Sequence, residues 1–433
     1  MTKPSDIVNV AIVGAGGMGR GVARNLMALP DVRIIAVADP AAEYADDFFY
    51  KSAVGRLPMK AEIEAKYQEA DPDFVCADYI DFRVMLAEMP EIDAIVCATP
   101  DHLHAYVSVV AMRQGKHVFC EKPLAHNIWE NRLMAQVAKE MGVATQMGNI
   151  GHARDGMRET CEWIWDGAIG TVREVHAWAG ATRWNKGMLA PPTEEPPMPE
   201  GLDWDLWLGP REPRGYHPAY HPVRWRDFWT FGLGPIGDFV CHDLDCACWA
   251  LDLQAPVTVE AFSAGKSSSE MTGYGEICYF DFGAHGDRPP VKVTWYDGGL
   301  RPPTPADWPA DEAIPSRGVL FIGDEGMILC PGLGVPPRLL PEARREAYTP
   351  PAPSLPRSPG HHREWIDACK GGVPAMANFT YSAQLTEIAL LGAIALQTGK
   401  RFVWNAEEMK AEGVPEADAL IRTPYRKGWE LEG

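Results

Sequence analysis

Apolar and polar positions fall into two textures along this chain. Up to about residue 150, short apolar runs alternate with helix-spaced segments. Residues 7–14 (Ile-Val-Asn-Val-Ala-Ile-Val-Gly) predict a buried strand, and a glycine-rich turn and a helix from Gly19 to about Leu29 follow. Residues 33–38 predict a second strand ending at Asp39, and the segment from 41 to 75 is polar and helical in pattern. Further on, the pattern predicts a helix over 81–88, a strand over 93–98, a helix over 102–114 closed by Gly115, a strand over 116–120 and a helix over 126–141. Strands alternating with helices imply a parallel sheet covered by helices on both faces.

Past residue 150 the texture changes. A helix near 153–166 stops at Gly167, and strand candidates follow at 171–179, 257–263, 274–282, 291–297, 318–323 and 326–330. Loops, not helices, separate them, which favours an antiparallel or mixed sheet. Proline-rich stretches at 190–200, 302–316 and 349–359 read as loops, and helices at about 361–370 and 381–398 close the pattern.

Composition narrows the class. The 433 residues are 46% hydrophobic and 23% charged, ordinary for a globular chain with two cores. No apolar run has the length of a bilayer-spanning helix, and the opening residues lack the charged and apolar regions of a secretory signal. A cytoplasmic protein without a membrane partner is therefore expected. The ten cysteines lie mostly in apolar stretches and form no C-x-x-C pair, so reduced, buried thiols are expected. A formal charge of −19 argues against a nucleic-acid partner, because phosphate binding needs a basic face.

The first chemical signal is Gly14-Ala15-Gly16-Gly17-Met18-Gly19, a G-x-G-x-x-G motif placed between a strand and a helix. Gly14 allows a tight turn, Gly16 lets a pyrophosphate approach the backbone, and Gly19 lets the helix pack close to the sheet. The helix N-terminus offers free N–H groups to an anion. Asp39 ends the next strand, where a carboxylate accepts from the adenosine ribose hydroxyls and repels a 2′-phosphate. NAD is thus expected in preference to NADP.

Further along stand Thr99-Pro100-Asp-His-Leu-His104, Glu121-Lys122-Pro123 and Gly237-Asp238-Phe-Val-Cys-His242. With the glycine motif, in this order and spacing, the chain resembles the glucose–fructose oxidoreductase / inositol dehydrogenase / rhizopine catabolism (Gfo/Idh/MocA) family over nearly its whole length. The resemblance implies an N-terminal Rossmann domain with a doubly wound parallel sheet, here over residues 1–124. It implies an α/β domain with a large open, mostly antiparallel sheet over 125–433, often used for homo-oligomerisation as a dimer or tetramer. It also implies hydride transfer with a sugar, polyol or sugar derivative. Residue by residue, Lys122 would stand beside the reacting carbinol, Glu121 near the cofactor, and Lys122–Pro123 would be a cis peptide. Thr99, Pro100 and His104 would pack along the nicotinamide half. His242 would be the acid/base and Asp238 a substrate contact. The sequence departs from the family pattern at Val240, where glycine is usual two residues after the aspartate.

The residues support that chemistry independently. Oxidising an alcohol needs a group that takes the hydroxyl proton as hydride leaves, and histidine suits this near neutrality, with a lysine sharing the work. Asp238 and His242 are four apart, so on a helix they share one face. The segment 203–229 is dense in Trp, Tyr, His and Arg, which suits a sugar pocket. Tyr216, Tyr220 and Arg226 are candidate substrate contacts there, and Trp225-Arg226 resembles the family's W-R pair near the nicotinamide. Asn149 and His152, after the last Rossmann strand, are candidates for lining the cleft on the cofactor and substrate sides. His217 and His221 are each followed by proline, so no metal site is expected. The alternative activity is a redox-assisted hydrolase or lyase that oxidises, eliminates and re-reduces with tightly held NAD. Intact Lys122, Asp238 and His242 weigh against a non-catalytic NAD sensor.

Overall fold

A computed structural model describes residues 7–45, 50, 52–265 and 268–431. The fully apolar runs become the inner strands of a six-stranded sheet: β1 (Val8–Val13), β2 (Val32–Ala38), β3 (Ala77–Tyr79), β4 (Ala94–Cys97), β5 (His117–Cys120) and β6 (Thr145–Met147). Every pairing is parallel and the order is β3-β2-β1-β4-β5-β6. Helices α1 (Gly17–Met27), α2 (Arg56–Tyr67), α3 (Phe82–Glu88), α4 (Asp101–Arg113) and α5 (Ile128–Met141) make the connections. All of β4 and nearly all of β1 is buried, which is why these strands read as continuous runs without alternation. The strand order reverses between β1 and β4, and this opens a crevice at their C-terminal ends.

Three features depart from the sequence pattern. β3 and β6 have three residues each and carry polar side chains, so periodicity does not mark them. β6 lies past residue 124, so the parallel sheet draws on the chain as far as Met147. The segment 41–75 is helical only over α2; residues 46–49 and 51 lie outside the described residues. Gly55, with φ of 121°, starts that helix in a conformation a side chain resists.

The second half opens with α6 (Asp155–Trp165), β7 (Val172–Trp178), α7 (Trp204–Leu208), α8 (Gly234–Asp243) and α9 (Asp245–Leu251). Next come β8 (Thr258–Ala264), β9 (Gly275–Phe282), β10 (Val291–Tyr296), β11 (Gly318–Gly323), β12 (Met327–Cys330) and β13 (Arg338–Leu340). It closes with α10 (Glu342–Ala347), α11 (His361–Cys369), α12 (Phe379–Thr398), β14 (Phe402–Asn405), β15 (Lys410–Glu412) and α13 (Pro415–Ile421). The nine strands form one mixed sheet in the order β13-β12-β11-β7-β10-β9-β8-β14-β15, antiparallel except for β7 with β10.

α12 fills the space between this sheet and α5 and α8. Gly392 lets it approach Ile236 of α8 and Phe280 of β9, where a Cβ would collide. It is the one helix among the described residues long and apolar enough to cross a membrane, and it is mostly buried as a core element. Trp365, Ile366 and Cys369 of α11 share a buried cluster with Val10, Ile12 and Phe119, so the C-terminal part of the chain packs into the parallel domain. All ten cysteines are buried and unpaired.

Candidate active site

The glycine turn is built by steric need. A Cβ on Gly14, at φ of 97°, would lie 2.5 Å from the Ala98 carbonyl carbon, and one on Gly19 would collide with the Gly14 carbonyl oxygen. Gly16 caps α1 without a side-chain bond and the first turn holds no acid, so its N–H groups are open to an anion. Asp39 is buried, with Oδ2 accepting from Ala15 N at 2.7 Å and Oδ1 from Ala41 N at 2.8 Å. Burial pushes its carboxyl up to about 6, against the pull of those two bonds.

A cleft of about 1000 Å³, counting space open to solvent, runs over the crevice between β1 and β4. Gly14, Gly16, Gly17, Met18, Asp39, Thr99, Pro100, Asp101, Glu121 and Lys122 line it from the parallel domain. The second half supplies its roof: Trp207 of α7, His221, Trp225 and Arg226, with Trp429 from the C-terminal segment. The roof is tied to the β2–α2 loop by Ala42 N to Gly201 O at 2.8 Å and Asp203 N to Pro40 O at 2.9 Å. The Tyr44 and His221 rings meet edge to face at 4.6 Å. Tyr44 and Tyr50 also rest against Gly16 and Gly17. These features fit a dinucleotide: a cradle that excludes side chains, an uncapped helix end, an acid at the end of β2 and a buried Glu121 whose Oε2 has no hydrogen-bond partner among the described residues.

The ionisable candidates Lys122, Asp238 and His242 lie where the two halves join. Lys122 follows β5 at a cis Lys122–Pro123 bond, and its Nζ donates to Asp238 Oδ1 at 2.5 Å and to the Asp238 main-chain oxygen at 3.0 Å. Arg226 stacks on Trp225, 4.2 Å from ring centre to guanidinium carbon, and places Nε 3.4 Å from Asp238 Oδ2. Gly232 makes room for this turn, since a Cβ there would lie 2.8 Å from Arg226 Cα. Burial alone would raise Asp238, but Lys122 and Arg226 outweigh it and hold the carboxyl well below the usual carboxylate range. His242 stands one turn further along α8, half-buried, with Nδ1 lacking a partner among the described residues. Burial and the cations of Lys122 and Arg317 push it well below the ordinary histidine value, which leaves the imidazole neutral.

Several candidates lie elsewhere. His242 lines a neighbouring cavity of about 220 Å³, formed with α6 and the Gly332-Leu333-Gly334 turn, and not the large cleft. His104 is buried beneath the cleft, with Nδ1 2.7 Å from the Pro123 carbonyl oxygen and Nε2 2.9 Å from that of Thr99. It joins the two loops that face the cleft. Asn149 and His152 both bind Asp245, at 2.9 Å each, and Tyr381 donates to the same carboxylate at 2.6 Å. They brace α9, and His152 stacks on Trp249. Tyr220 is buried against Phe228 and Phe231, and Tyr216 packs edge-on to Trp204. Neither lines the cleft, because the aromatic segment folds on itself before it reaches the cofactor side. Sequence reasoning missed Asp101, although it lies within the Thr99–His104 motif. It also missed Tyr44 and Trp429, which carry no local signal, and did not single out Trp207 within the aromatic segment.

Comparisons with known proteins bear on the family and the fold. The sequence profile of an oxidoreductase family with an NAD-binding Rossmann fold matches residues 8–149, and that of the same family's C-terminal alpha/beta domain matches residues 172–283. The scyllo-inositol 2-dehydrogenase (NAD(+)) of Bacillus subtilis is 28% identical over 323 residues, 73% of this chain and 74% of that one. The 2,7-anhydro-N-acetylneuraminate hydratase of Mediterraneibacter gnavus is 26% identical over 238 residues, 54% of this chain and 51% of the relative, so the match spans about half that relative's length. The crystal structure of the WlbA dehydrogenase from Bordetella pertussis, in complex with NADH and UDP-GlcNAcA, superposes with a TM-score of 0.59 at 14% identity, covering 92% of this chain and 99% of that one.

Proposed function

The chain belongs to the Gfo/Idh/MocA oxidoreductase family, and from that premise we propose that it transfers a hydride between NAD and a hydroxyl-bearing carbon of a sugar, polyol or sugar derivative. The observation that carries this reading is the Lys122–Asp238 ion pair, which sets a proton-carrying lysine from the parallel domain against α8 beside the cleft. Bound NAD supplies the hydride acceptor. Gly14, Gly16, Gly17, Met18 and Asp39 would hold its adenosine and pyrophosphate half, and Thr99, Pro100, Glu121, Trp225 and Arg226 would wall the nicotinamide half. NAD is the preferred cofactor because Asp39 faces the position a 2′-phosphate would need.

Lys122 positions the substrate oxygen and shares its proton, while neutral His242 takes or returns that proton from the α8 side. Asp238 holds Lys122 in place. Arg226, with Asp238, sets the charge that a hydroxyl-rich substrate meets. Buried reduced thiols favour the cytoplasm. A homo-oligomer would use the outer face of the mixed sheet, where Phe262 and Tyr279 pair at 6.2 Å and stay 59% and 40% exposed. The test is to incubate the protein and NAD with a panel of polyols and pyranoses and follow nicotinamide reduction. Net NADH with a matching ketone supports the proposal; cleaved or dehydrated product without net NADH refutes it in favour of redox-neutral chemistry.

A further inference from the structure

Around Lys122 and Arg226 stands one more acid than these two cations can pair. Lys122 and Arg226 both engage Asp238, at 2.5 and 3.4 Å. Of the four carboxyls that line the cleft, Asp39 accepts from two main-chain N–H groups and Asp81 pairs with Arg83; the other two, Glu121 at 5% exposure and Asp101 at 6%, lie within the field of Lys122, Arg226 and Asp238. Among the described residues, neither has an ion-pair partner within 4.0 Å. With all three acids ionised the cluster would carry a net negative charge in a buried space, which is costly enough that one carboxyl keeps its proton.

Asp101 has the stronger claim to that proton. It is the first residue of α4, and the charged and titratable groups around it come from three other elements: Arg226 from the roof, Lys122 from the loop after β5, and Asp238 and Cys241 from α8. Burial and the Asp238 carboxylate push Asp101 up to about 8, and the two cations do not offset this. Burial raises Glu121 less far, to about 7, because adjacent Lys122 and its backbone N–H favour the anion.

We propose that Asp101 is the proton-holding carboxyl of the cleft, protonated when no positive ring faces it and ionised when the cationic nicotinamide of NAD⁺ lies alongside. This rests on the cofactor placement proposed above. The balance then closes. NAD⁺ held there would accept a carbinol hydrogen with its bonding pair and would lose its positive charge. The hydroxyl proton would leave by way of Lys122 and His242, a C=O bond would remain on the product, and the Asp101 carboxylate would regain one proton from solvent once the ring is neutral. The proton inventory of the cleft thus follows the redox state of the cofactor, and Asp101 acts as a positioning residue through Lys122 without touching substrate.

Calorimetry with NAD⁺ and NADH, each titrated near pH 7 in buffers of differing ionisation enthalpy, counts the protons released. The expected result is release approaching about one proton with NAD⁺ and close to none with NADH, as linkage requires. Asp101→Asn should bind both nucleotides and lose most of the release, and Asp101→Glu should restore it. A merely structural role would leave the proton count unchanged. Equal release by native protein and Asp101→Asn overturns the proposal, as does a loss confined to Glu121→Gln. Absence of binding by either nucleotide overturns it together with the cofactor placement, whereas normal binding without proton release removes Asp101 alone.

Discussion

Lys122 Nζ lies 2.5 Å from Asp238 Oδ1 and 3.0 Å from the main-chain oxygen of the same residue, which fixes a Rossmann-loop lysine to a helix of the second domain. The two side chains are only 10% and 15% exposed, so each is the other's main substitute for water. Removing one partner of such a buried pair strands the other charge, at a cost of roughly 3–5 kcal/mol. Asp238→Asn should therefore lower unfolding stability markedly in urea titrations, since Lys122 and Arg226 are left facing each other. The sign with pH follows from the depressed Asp238 carboxyl. Its stabilisation is present above the unfolded carboxylate range near pH ~4 and is lost only as pH falls well below it.

Tyr220 and His221 are neighbours with different surroundings. Tyr220 is buried among Phe228, Phe231 and Trp204, whereas His221 lines the cleft and meets Tyr44. Tyr220→Ala should cost about 3 kcal/mol or more of stability, as large-to-small core changes do. His221→Ala should leave the melting temperature nearly unchanged and weaken NAD binding several-fold. Calorimetric melts and NAD titrations of both variants separate the two roles.

Asp39, proposed to meet the adenosine ribose, also holds the backbone together. Its two oxygens tie the glycine turn at Ala15 to the start of the next loop at Ala41. Asp39→Ala should leave two buried N–H groups unpaired, costing about 1–3 kcal/mol each, and weaken NAD more than tenfold without a matching gain for NADP. Asp39→Asn, which keeps one acceptor oxygen, should recover part of the stability. Binding isotherms for both nucleotides check this. Tighter NADP than NAD binding by the native protein would remove the specificity argument.

The legible part of this molecule was the part that repeats a local rule. The fingerprint stood out because glycines sit where a Cβ collides, and β1 and β4 because both of their faces are buried. Lys122, Asp238 and His242 could be named from spacing and family resemblance, though not their 2.5 Å closure or the second cavity around His242. The aromatic segment is ambiguous as sequence, because aromatic density marks a packed loop and a sugar pocket alike. Tyr220 packs within the loop, and Trp225 lines the cleft. Trp429 reaches the cleft from hundreds of residues away, and no window of sequence encodes that contact.

Glu276 of β9 and Asp297 just after β10 are both fully buried carboxyls, and Trp295 Nε1 donates to Asp297 Oδ2 at 2.9 Å. Burial pushes both up, Asp297 to about 7, and Glu276 rises further because Asp297 stands beside it. Raised folded values mean that the native state binds more protons than the unfolded chain above pH ~4. Stability from this pair is therefore full below that pH and declines as pH rises toward about 7. Urea midpoints from pH 4 to 8 should fall across that window, and Glu276→Gln should flatten the decline.

The central claim is hydride transfer assisted by Lys122 and His242. It is tested most directly by single-turnover reduction of bound NAD, using a polyol or pyranose substrate carrying hydrogen or deuterium at the reacting carbon. The predicted result is a slower nicotinamide signal with the deuterated substrate, and a rate loss of about 10²–10⁴-fold in Lys122→Ala and in His242→Ala while NAD affinity is kept. The two losses should combine less than additively in the double variant. Native single-turnover rates in both variants would contradict the claim.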